Sequence, residues 1–316
     1  MRYIILLLLI PVNCLVVDPV FAAEVVNRPG IDEEYTHRPK VEGRLVNATS
    51  IKVMTFNIRW QGHSNGVFYD SGFDRRKPLV LDVLKNFDAD VIGLQEASIE
   101  QRAAIASELT EFAMFPLPSD AGDESILYRI SRFDLEASGH EYLRREPEKP
   151  GTNIGVRDFF WVHLYDRLSD KRFYVANLHT DHRSSERGRQ LDGVLIGEWI
   201  RQRKFADPVI LTGDFNGKPD QPRYLYLTGQ RAYAGEDGST VSMPVPMLDT
   251  FTAANRLARH AGAVNASNGG ENNSNRIDYI FVPRGSKVID SRVIYKHVNG
   301  AYPSDHFPLF SEIELE

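Results

Sequence analysis

Time after time along this chain, a short apolar run stops at a carboxylate, an amide or an imidazole. Ile51-Lys52-Val53-Met54-Thr55-Phe56 runs into Asn57, Val91-Ile92-Gly93-Leu94-Gln95 into Glu96, and Val175-Ala176-Asn177-Leu178 into His179. Val209-Ile210-Leu211 leads to Asp214 and Asn216, Asp278 sits within Arg276-Ile277-Asp278-Tyr279-Ile280-Phe281, and Asp305-His306 precede Phe307-Pro308-Leu309. Alternating or continuous apolar runs of this length read as strands. A carboxylate buried against such a strand is costly unless it is paired or bound to a cation. Eight polar groups, nearly all at strand ends, therefore imply one convergent site. Carboxylates and amides without thiolates favour a hard, oxygen-seeking ion such as Mg²⁺ or Mn²⁺.

The rest of the pattern is mixed. Further strands are expected at 125–129, 159–165, 172–178, 208–212, 276–282 and 308–315. Helices are expected from Pro78, which is tolerated in a first turn, and over 99–109, 186–201 and 248–259. Residues 235–242 and the Asn/Gly/Ser-rich 265–275 read as loops. No repeat and no composition break follows residue 50, so residues 51–316 read as one α/β (α+β) domain. Residues 24–50 carry Pro29, Gly30, Pro39 and Gly43 without an apolar period and read as an arm or linker.

The first 23 residues differ again. Arg2, the run Ile4 to Ile10 and the small residues Ala22-Ala23 read as a secretory signal cleaved near Ala22 or Ala23. Pro11 and Asn13 break the run well short of the ~20 apolar residues a span needs, and Asn13 is a poor residue ahead of a lipidated Cys14. Export to the periplasm or medium follows. The only cysteine, Cys14, would leave with the signal, so no disulfide and no Cys-rich zinc site is expected. The formal charge of −6 argues against tight binding to nucleic acid through a broad basic face.

Taken singly, each polar residue has a plainer reading. Asp214-Phe215-Asn216 is also a good turn, Asp305 a loop cap and Asp278 a core salt-bridge partner. His37, His140 and His260 read as solvated surface groups, Phe159-Phe160-Trp161 as sheet core, and Tyr224, Tyr226 and Tyr233 as packing sooner than a stacking platform. The set, in its order, resembles the endonuclease/exonuclease/phosphatase superfamily. The blocks carrying the resemblance are Thr55-Phe56-Asn57-Ile58-Arg59, Gly93-Leu94-Gln95-Glu96, Ser125-Ile126-Leu127-Tyr128-Arg129 and Asn177-Leu178-His179-Thr180-Asp181-His182. They continue with Gly213-Asp214-Phe215-Asn216, Ile277-Asp278-Tyr279 and Ser304-Asp305-His306. The Phe-Asn-Ile-Arg opening is similar to that of the bacterial branch.

The resemblance implies a four-layer αββα sandwich of two mixed β-sheets flanked by helices. It implies Glu96 as principal metal ligand with Asn57 and Asp305. Asp214 and Asn216 would position the attacking water and a phosphate oxygen, or a second ion. His306 would be base or phosphate-stabilising group, oriented by Asp278, and His179 would face a phosphate oxygen and the leaving group. Mg²⁺ or Mn²⁺, or Ca²⁺, would be the cofactor. The substrate would be a phosphate ester: nucleic acid, phospholipid or sugar phosphate. Some positions depart from the branch. Glu124, a candidate partner for His179, abuts Ser125 without the usual spacer. Arg157 takes a candidate phosphate-binding position in an altered context, and either Arg187 or Arg189 supplies the helix arginine.

The expected activity is a metal- and histidine-assisted phosphodiesterase, nuclease-like, acting as a monomer without a stable membrane span. A small-molecule phosphomonoesterase and a phospholipid diesterase share the same chemistry. Two readings compete from outside. Asn177-x-His179-x-Asp181-His182 is one residue from a histidine-rich zinc signature, which would need imidazole at 177. A non-catalytic binding module on the same sandwich is the other.

Overall fold

The central strands form where the apolar runs predict them, and their order explains the rest. The computed structural model describes residues 50–61, 72–117, 119–120, 122–155, 157–203, 207–234, 239–255, 276–298 and 301–316. The leader, the arm up to residue 49, His37, His260 and the 265–275 loop lie outside the described residues.

One six-stranded sheet runs β13(Lys287–Val293), β14(Leu309–Glu314), β1(Ser50–Asn57), β2(Val91–Gln95), β4(Ser125–Arg129), β3(Phe112–Phe115). The other runs β11(Met247–Asp249), β12(Asp278–Pro283), β8(Val209–Asp214), β7(Lys171–His179), β6(Arg157–Asp166), β5(Phe133–Arg144). Each sheet has one parallel pair at its centre, β1 with β2 and β7 with β8, flanked by antiparallel neighbours. The two sheets therefore share one pairing pattern, strand for strand. The carboxyl ends of β1, β2, β7 and β8 and the starts of β12 and β14 all lie at one edge, where ligands bind in sheets of this kind. A separate two-stranded ribbon joins β9(Tyr233–Ala234) to β10(Thr240–Val241).

Apolar side chains fill three layers. Val53, Val91, Ile126, Val162, Val175, Ile210 and Ile280 pack between the sheets. The outer face of the first sheet packs on α1(Phe73–Asn86) and α2(Ile99–Glu108) through Val80, Leu84 and Ile105. The outer face of the second packs on α3(Glu186–Arg203) and α4(Pro222–Leu227) through Ile196, Trp199, Ile200 and Tyr226. Helices thus cover both faces of a double sheet, and the four-layer αββα sandwich is the observed fold. Phe159, Phe160 and Trp161 are core, and so are Tyr224, Tyr226 and Tyr233. Among the described residues no helix is long and apolar enough to cross a membrane.

Several boundaries differ from expectation. Helix α1 begins at Phe73, five residues ahead of Pro78, which therefore sits inside the helix. Proline there forfeits the bond to the Asp74 carbonyl, and the buried row Val80, Leu81, Val83 and Leu84 holds the helix instead. Residues 248–259 do not begin as a helix: Leu248 and Asp249 finish β11, and Asp249 caps the short α5(Thr250–Ala254). Part of the 235–242 loop is β10. Residues 276 and 277 precede β12, which makes Asp278 its first residue.

Beneath the site edge, the sheets are joined by buried amides. Asn177 of β7 donates to the Leu94 carbonyl at 2.7 Å and the Ser125 carbonyl at 3.1 Å, both in the facing sheet. Its Oδ1 accepts from Gln95 Nε2 at 2.6 Å and Thr212 Oγ1 at 3.0 Å, and Gln95 also reaches Thr55 Oγ1 at 3.0 Å. The approach is close because residue 93 has no side chain; a Cβ there would collide with Asn177 Oδ1 and Thr212 Oγ1. Gly93→Ala is expected to cost about 2–4 kcal/mol, from overpacking and from buried polar groups pushed off their partners. Urea unfolding measures it, and a loss under about 0.5 kcal/mol, the scatter of an ordinary surface change, would contradict the clamp.

Candidate active site

Strand pairing alone sets the acidic groups side by side. Asp278 is directly opposite Asp214 in the β12–β8 ladder, and His179 is opposite Asp214 in the β7–β8 ladder. Asn57 closes β1 opposite Gln95, with Glu96 next along. Backbone turns at the strand ends then aim the side chains. Arg59, Glu96 and Asn216 all hold positive φ, at 61°, 56° and 42°, a conformation costing of order 1–3 kcal/mol at a non-glycine residue. Gly213 has φ 151°, and a Cβ on it would strike the Leu178 carbonyl.

Asn57 links the two halves of the cluster. Its Nδ2 donates to Glu96 Oε1 at 3.1 Å and to Asp214 Oδ2 at 3.2 Å, and its Oδ1 accepts from the Arg59 amide at 3.0 Å. Glu96 Oε2 takes the Trp60 amide at 2.9 Å. Ser304 Oγ donates to the Asn57 carbonyl at 2.6 Å and accepts from the His306 amide at 3.2 Å, which ties the Ser-Asp-His block to the end of β1. Asp305 lies 4.0 Å from Arg59 Nε. Asp214 Oδ1 accepts the Asn216 amide at 2.8 Å, and its Oδ2 faces both His179 Nε2 and His306 Nε2 at 3.7 Å. Asn216 Nδ2 donates to the Thr180 carbonyl at 2.7 Å. His306 Nδ1 meets Asp278 Oδ2 at 2.9 Å, while Asp278 Oδ1 is buried without a protein partner.

All eight residues expected to converge therefore do so: Asn57, Glu96, His179, Asp214, Asn216, Asp278, Asp305 and His306. Two groupings suit a cation. Single ligand atoms of Asp214, Asp278 and His306 lie within 4.8 Å of one another, and Glu96 stands across Asn57 from Asp214. Burial pushes the Glu96 carboxyl up, but His179, the Trp60 amide, Asn57 and His306 outweigh it and hold it below the ordinary value, ionised. Burial also pushes Asp278 up, to about 6, against the pull of His306 and with Asp214 adding to the rise. His306 is held well above its ordinary value because Asp278, Asp214 and Asp305 outweigh burial. His306 Nδ1 is engaged by Asp278, which leaves its Nε2 facing Asp214. Glu96 is thus an ionised carboxylate one amide away from Asp214.

Three expected positions have the following surroundings. Glu124 is buried just before β4, with Asp123, Asp158 and Arg157 as the charges acting on it. Arg157 lies 3.5 Å from Asp181, so part of its charge is already answered. Of the two helix arginines, Arg187 is exposed, whereas Arg189 turns back to donate to the His182 carbonyl at 2.8 Å. The zinc reading fails at its first position, since Asn177 is the inter-sheet amide. His140 is paired with Asp158 at 2.6 Å.

Asp181, which the sequence reading placed in the Asn177–His182 block without a role at the phosphoester site, is a buried carboxylate that receives the Gly155 amide at 3.0 Å and the Arg183 side chain at 2.7 Å and so pins the loop after His179. The sequence reading passed over Arg76, which donates to the carbonyls of Ile58, Arg59 and Pro303 at 2.6, 3.1 and 2.8 Å. Arginines in helices read as surface residues, and neither spacing nor period marks these contacts.

The sequence matches the Endonuclease/Exonuclease/phosphatase family over residues 54–306. The chain belongs to this family. It is thus a phosphoester-hydrolysing enzyme of a divalent-metal-dependent class. It is 22% identical over 287 residues to the uncharacterized Escherichia coli protein YbhP, across 84% of this chain and 97% of that one. Among solved structures it resembles an endonuclease/exonuclease/phosphatase from Bacteroides vulgatus, at 25% identity and TM-score 0.68, over 84% of this chain and 99% of that one. It also resembles a mannosyl-6-phosphatase of Bacteroides thetaiotaomicron, at 25% identity and TM-score 0.67, over 83% and 99%.

The electrostatics carry a checkable sign. A folded-state pKa above the unfolded one stabilises fully below the unfolded value, and the stabilisation is lost as pH rises through the folded value. In metal-free protein, the His306 ring is expected to titrate above its ordinary 6.5. Asp278→Asn should move that titration to lower pH. The stability excess of wild type over the variant should then shrink from pH 6.5 upward. Ring-proton NMR and urea unfolding across pH measure both, and a titration unmoved by the substitution would contradict the pair.

Proposed function

We propose that the protein is an exported, divalent-metal-dependent phosphoester hydrolase whose Glu96, Asn57 and Asp305 hold the cation, Mg²⁺ or Mn²⁺, with Ca²⁺ the alternative. The observation that carries the reading is the ladder register that sets Asp214 between His179 and Asp278, with His306 Nε2 3.7 Å from it and Glu96 one amide away. When bound, the cation neutralises phosphate oxygens in the transition state. The chain's own groups do the rest. Asp214 and Asn216 orient the attacking water, and His306, held in one orientation by Asp278, takes its proton when the ring is neutral or, as the imidazolium, stabilises the phosphate. His179, with its Nε2 3.7 Å from Asp214 Oδ2, protonates the leaving oxygen. Acid–base assistance of this kind is worth about 10²–10⁴ in rate.

The substrate reading shifts toward a small phosphoester. Among the described residues, cations beside the site stand against carboxylates, Arg59 against Asp305 and Arg157 and Arg183 against Asp181. A polynucleotide track needs unmatched cations along its backbone. The likeness at 25% identity to a mannosyl-6-phosphatase favours a sugar-phosphate or similar monoester. The second reading is a nuclease-like phosphodiesterase, since metal, base and proton donor serve either ester type.

Turnover of p-nitrophenyl phosphate, bis-p-nitrophenyl phosphate, a hexose 6-phosphate, DNA, RNA and sphingomyelin with Mg²⁺ or Mn²⁺ tests the assignment. Monoester turnover is expected to exceed that of polynucleotide, and the reverse order would select the second reading. His306→Ala should lower kcat by about 10²–10⁴. Inertness of the wild type on the whole panel would sink the hydrolase reading and favour a binding module.

A further inference from the structure

Two buried arginines, one behind each sheet, end on the backbone of the site. In the first half, Arg76 of α1 is 3% exposed and makes no use of a carboxylate in its hydrogen bonds. Its guanidinium gathers three carbonyls, those of Ile58 and Arg59 just past Asn57 and that of Pro303 just before Ser304-Asp305-His306. The segment so held carries the Trp60 amide that binds Glu96. Burial and the nearby Arg59 lower the Arg76 pKa to about 10, against the pull of Asp305 and Glu96.

In the second half, Arg223 of α4 is 1% exposed. It donates to Thr180 Oγ1 at 2.7 Å and to the Phe215 carbonyl, and its charge is met by Asp192 of α3. Thr180 is the residue after His179, and Phe215 lies between Asp214 and Asn216. Thr180 also donates its amide to the Asp214 carbonyl at 3.0 Å and accepts Asn216 Nδ2 at 2.7 Å. Asp192 lies 2.8 Å from Arg144 Nε, so the charge pair is part of a larger buried array.

A buried ion or guanidinium is a poor device for stability, because apolar replacements of similar volume are often neutral or stabilising. What a guanidinium does well is to fix several acceptors in one plane with a rigid fork of donors, which an ammonium cannot do. The two arginines brace different segments in sheets that share one pairing pattern: Arg76 the segment after β1 and the one leading into β14, Arg223 the segments after β7 and β8.

We propose that Arg76 and Arg223 are positioning residues with divided duties: Arg76 sets the metal-holding half, Asn57, Glu96 and Asp305, and Arg223 sets the water- and proton-handling half, His179, Asp214 and Asn216. The proposal rests on the functional reading above for its catalytic consequence, but its geometric content is independent of it.

Arg76→Lys and Arg223→Lys are compared on full-length mature protein at a temperature well below their unfolding transitions. With bis-p-nitrophenyl phosphate or p-nitrophenyl phosphate, whichever the wild type turns over, Arg76→Lys should raise the Mg²⁺ half-saturation tenfold or more. Its kcat at saturating Mg²⁺ should stay within threefold. Arg223→Lys should do the opposite, lowering kcat tenfold or more with the Mg²⁺ half-saturation within threefold. Backbone amide exchange in metal-free protein supplies a readout without activity. Arg76→Lys should speed exchange at Trp60 and leave Thr180 unchanged, and Arg223→Lys should speed Thr180 and leave Trp60 unchanged. Wild-type inertness would count against the functional reading alone, with exchange still deciding the positions. Equal effects of both variants on both parameters, or exchange that is uniform or unmoved, would overturn the division.

Discussion

The contact on which the site depends is the amide of Asn177, which crosses from one sheet to the other over a residue without a side chain. Its two N–H groups are taken by carbonyls of the facing sheet and its oxygen by Gln95 and Thr212. A buried amide left unsatisfied would cost about 1–3 kcal/mol per lost partner, so this arrangement selects one stagger of the sheets over its neighbours. Every residue of the clamp lies one or two positions before a site residue. Thr55 precedes Asn57 by two, Gln95 precedes Glu96 by one, Asn177 precedes His179 by two, and Thr212 precedes Asp214 by two. Strand side chains repeat every two residues on one face. The inter-sheet face of β1, β7 and β8 thus turns from apolar to hydroxyl or amide to a site residue over the last pleats, while on β2 Glu96 follows Gln95 by one and meets Asn57 from a backbone of positive φ.

That progression is why so much of the site was legible. An apolar run marks a strand, and the polar residue ending it marks where the strand leaves the core, so Asn57, Glu96, His179 and Asp214 could be placed without coordinates. Asp278 was placed inside its strand and proves to open it, which brings it opposite Asp214. The edge strands were harder. β5 alternates poorly, contains Gly139 and slips register between Leu135 and Ala137 and between Tyr142 and Arg144. β13 is largely exposed and also shifts register. Edge strands bury one face at most, so their pattern carries less of the fold. Helix α1 was misplaced because a proline rule outweighed the buried row behind it. Arg76 and Arg223 stayed hidden because their partners are backbone groups or charges on other elements, which no local pattern reports.

The charge balance acquires a meaning it lacked at the outset. A net of −6 speaks against a broad basic face, and the local picture agrees: Arg59, Arg157 and Arg183 each stand by a carboxylate. The positive charge the site needs is focused in the His306 imidazolium and whatever cation Glu96 attracts. An acidic enzyme can bind one phosphate strongly at such a point without holding a polyanion along its surface. The buried carboxylates Asp214 and Asp278, with Glu96 nearby, are costly in isolation, and a divalent ion turns that cost into affinity.

The central claim is that a hard divalent cation sits at Glu96 and that this carboxylate, not a histidine cluster, is its principal ligand. A crystal of the protein grown with Mn²⁺ and examined by anomalous scattering at the manganese edge tests it directly. The account requires an anomalous peak in coordination contact with the Glu96 carboxylate, absent from a Glu96→Gln crystal prepared alike. A peak seated on His179, Asp181 and His182, or one that persists unchanged in the Glu96→Gln crystal, would contradict it.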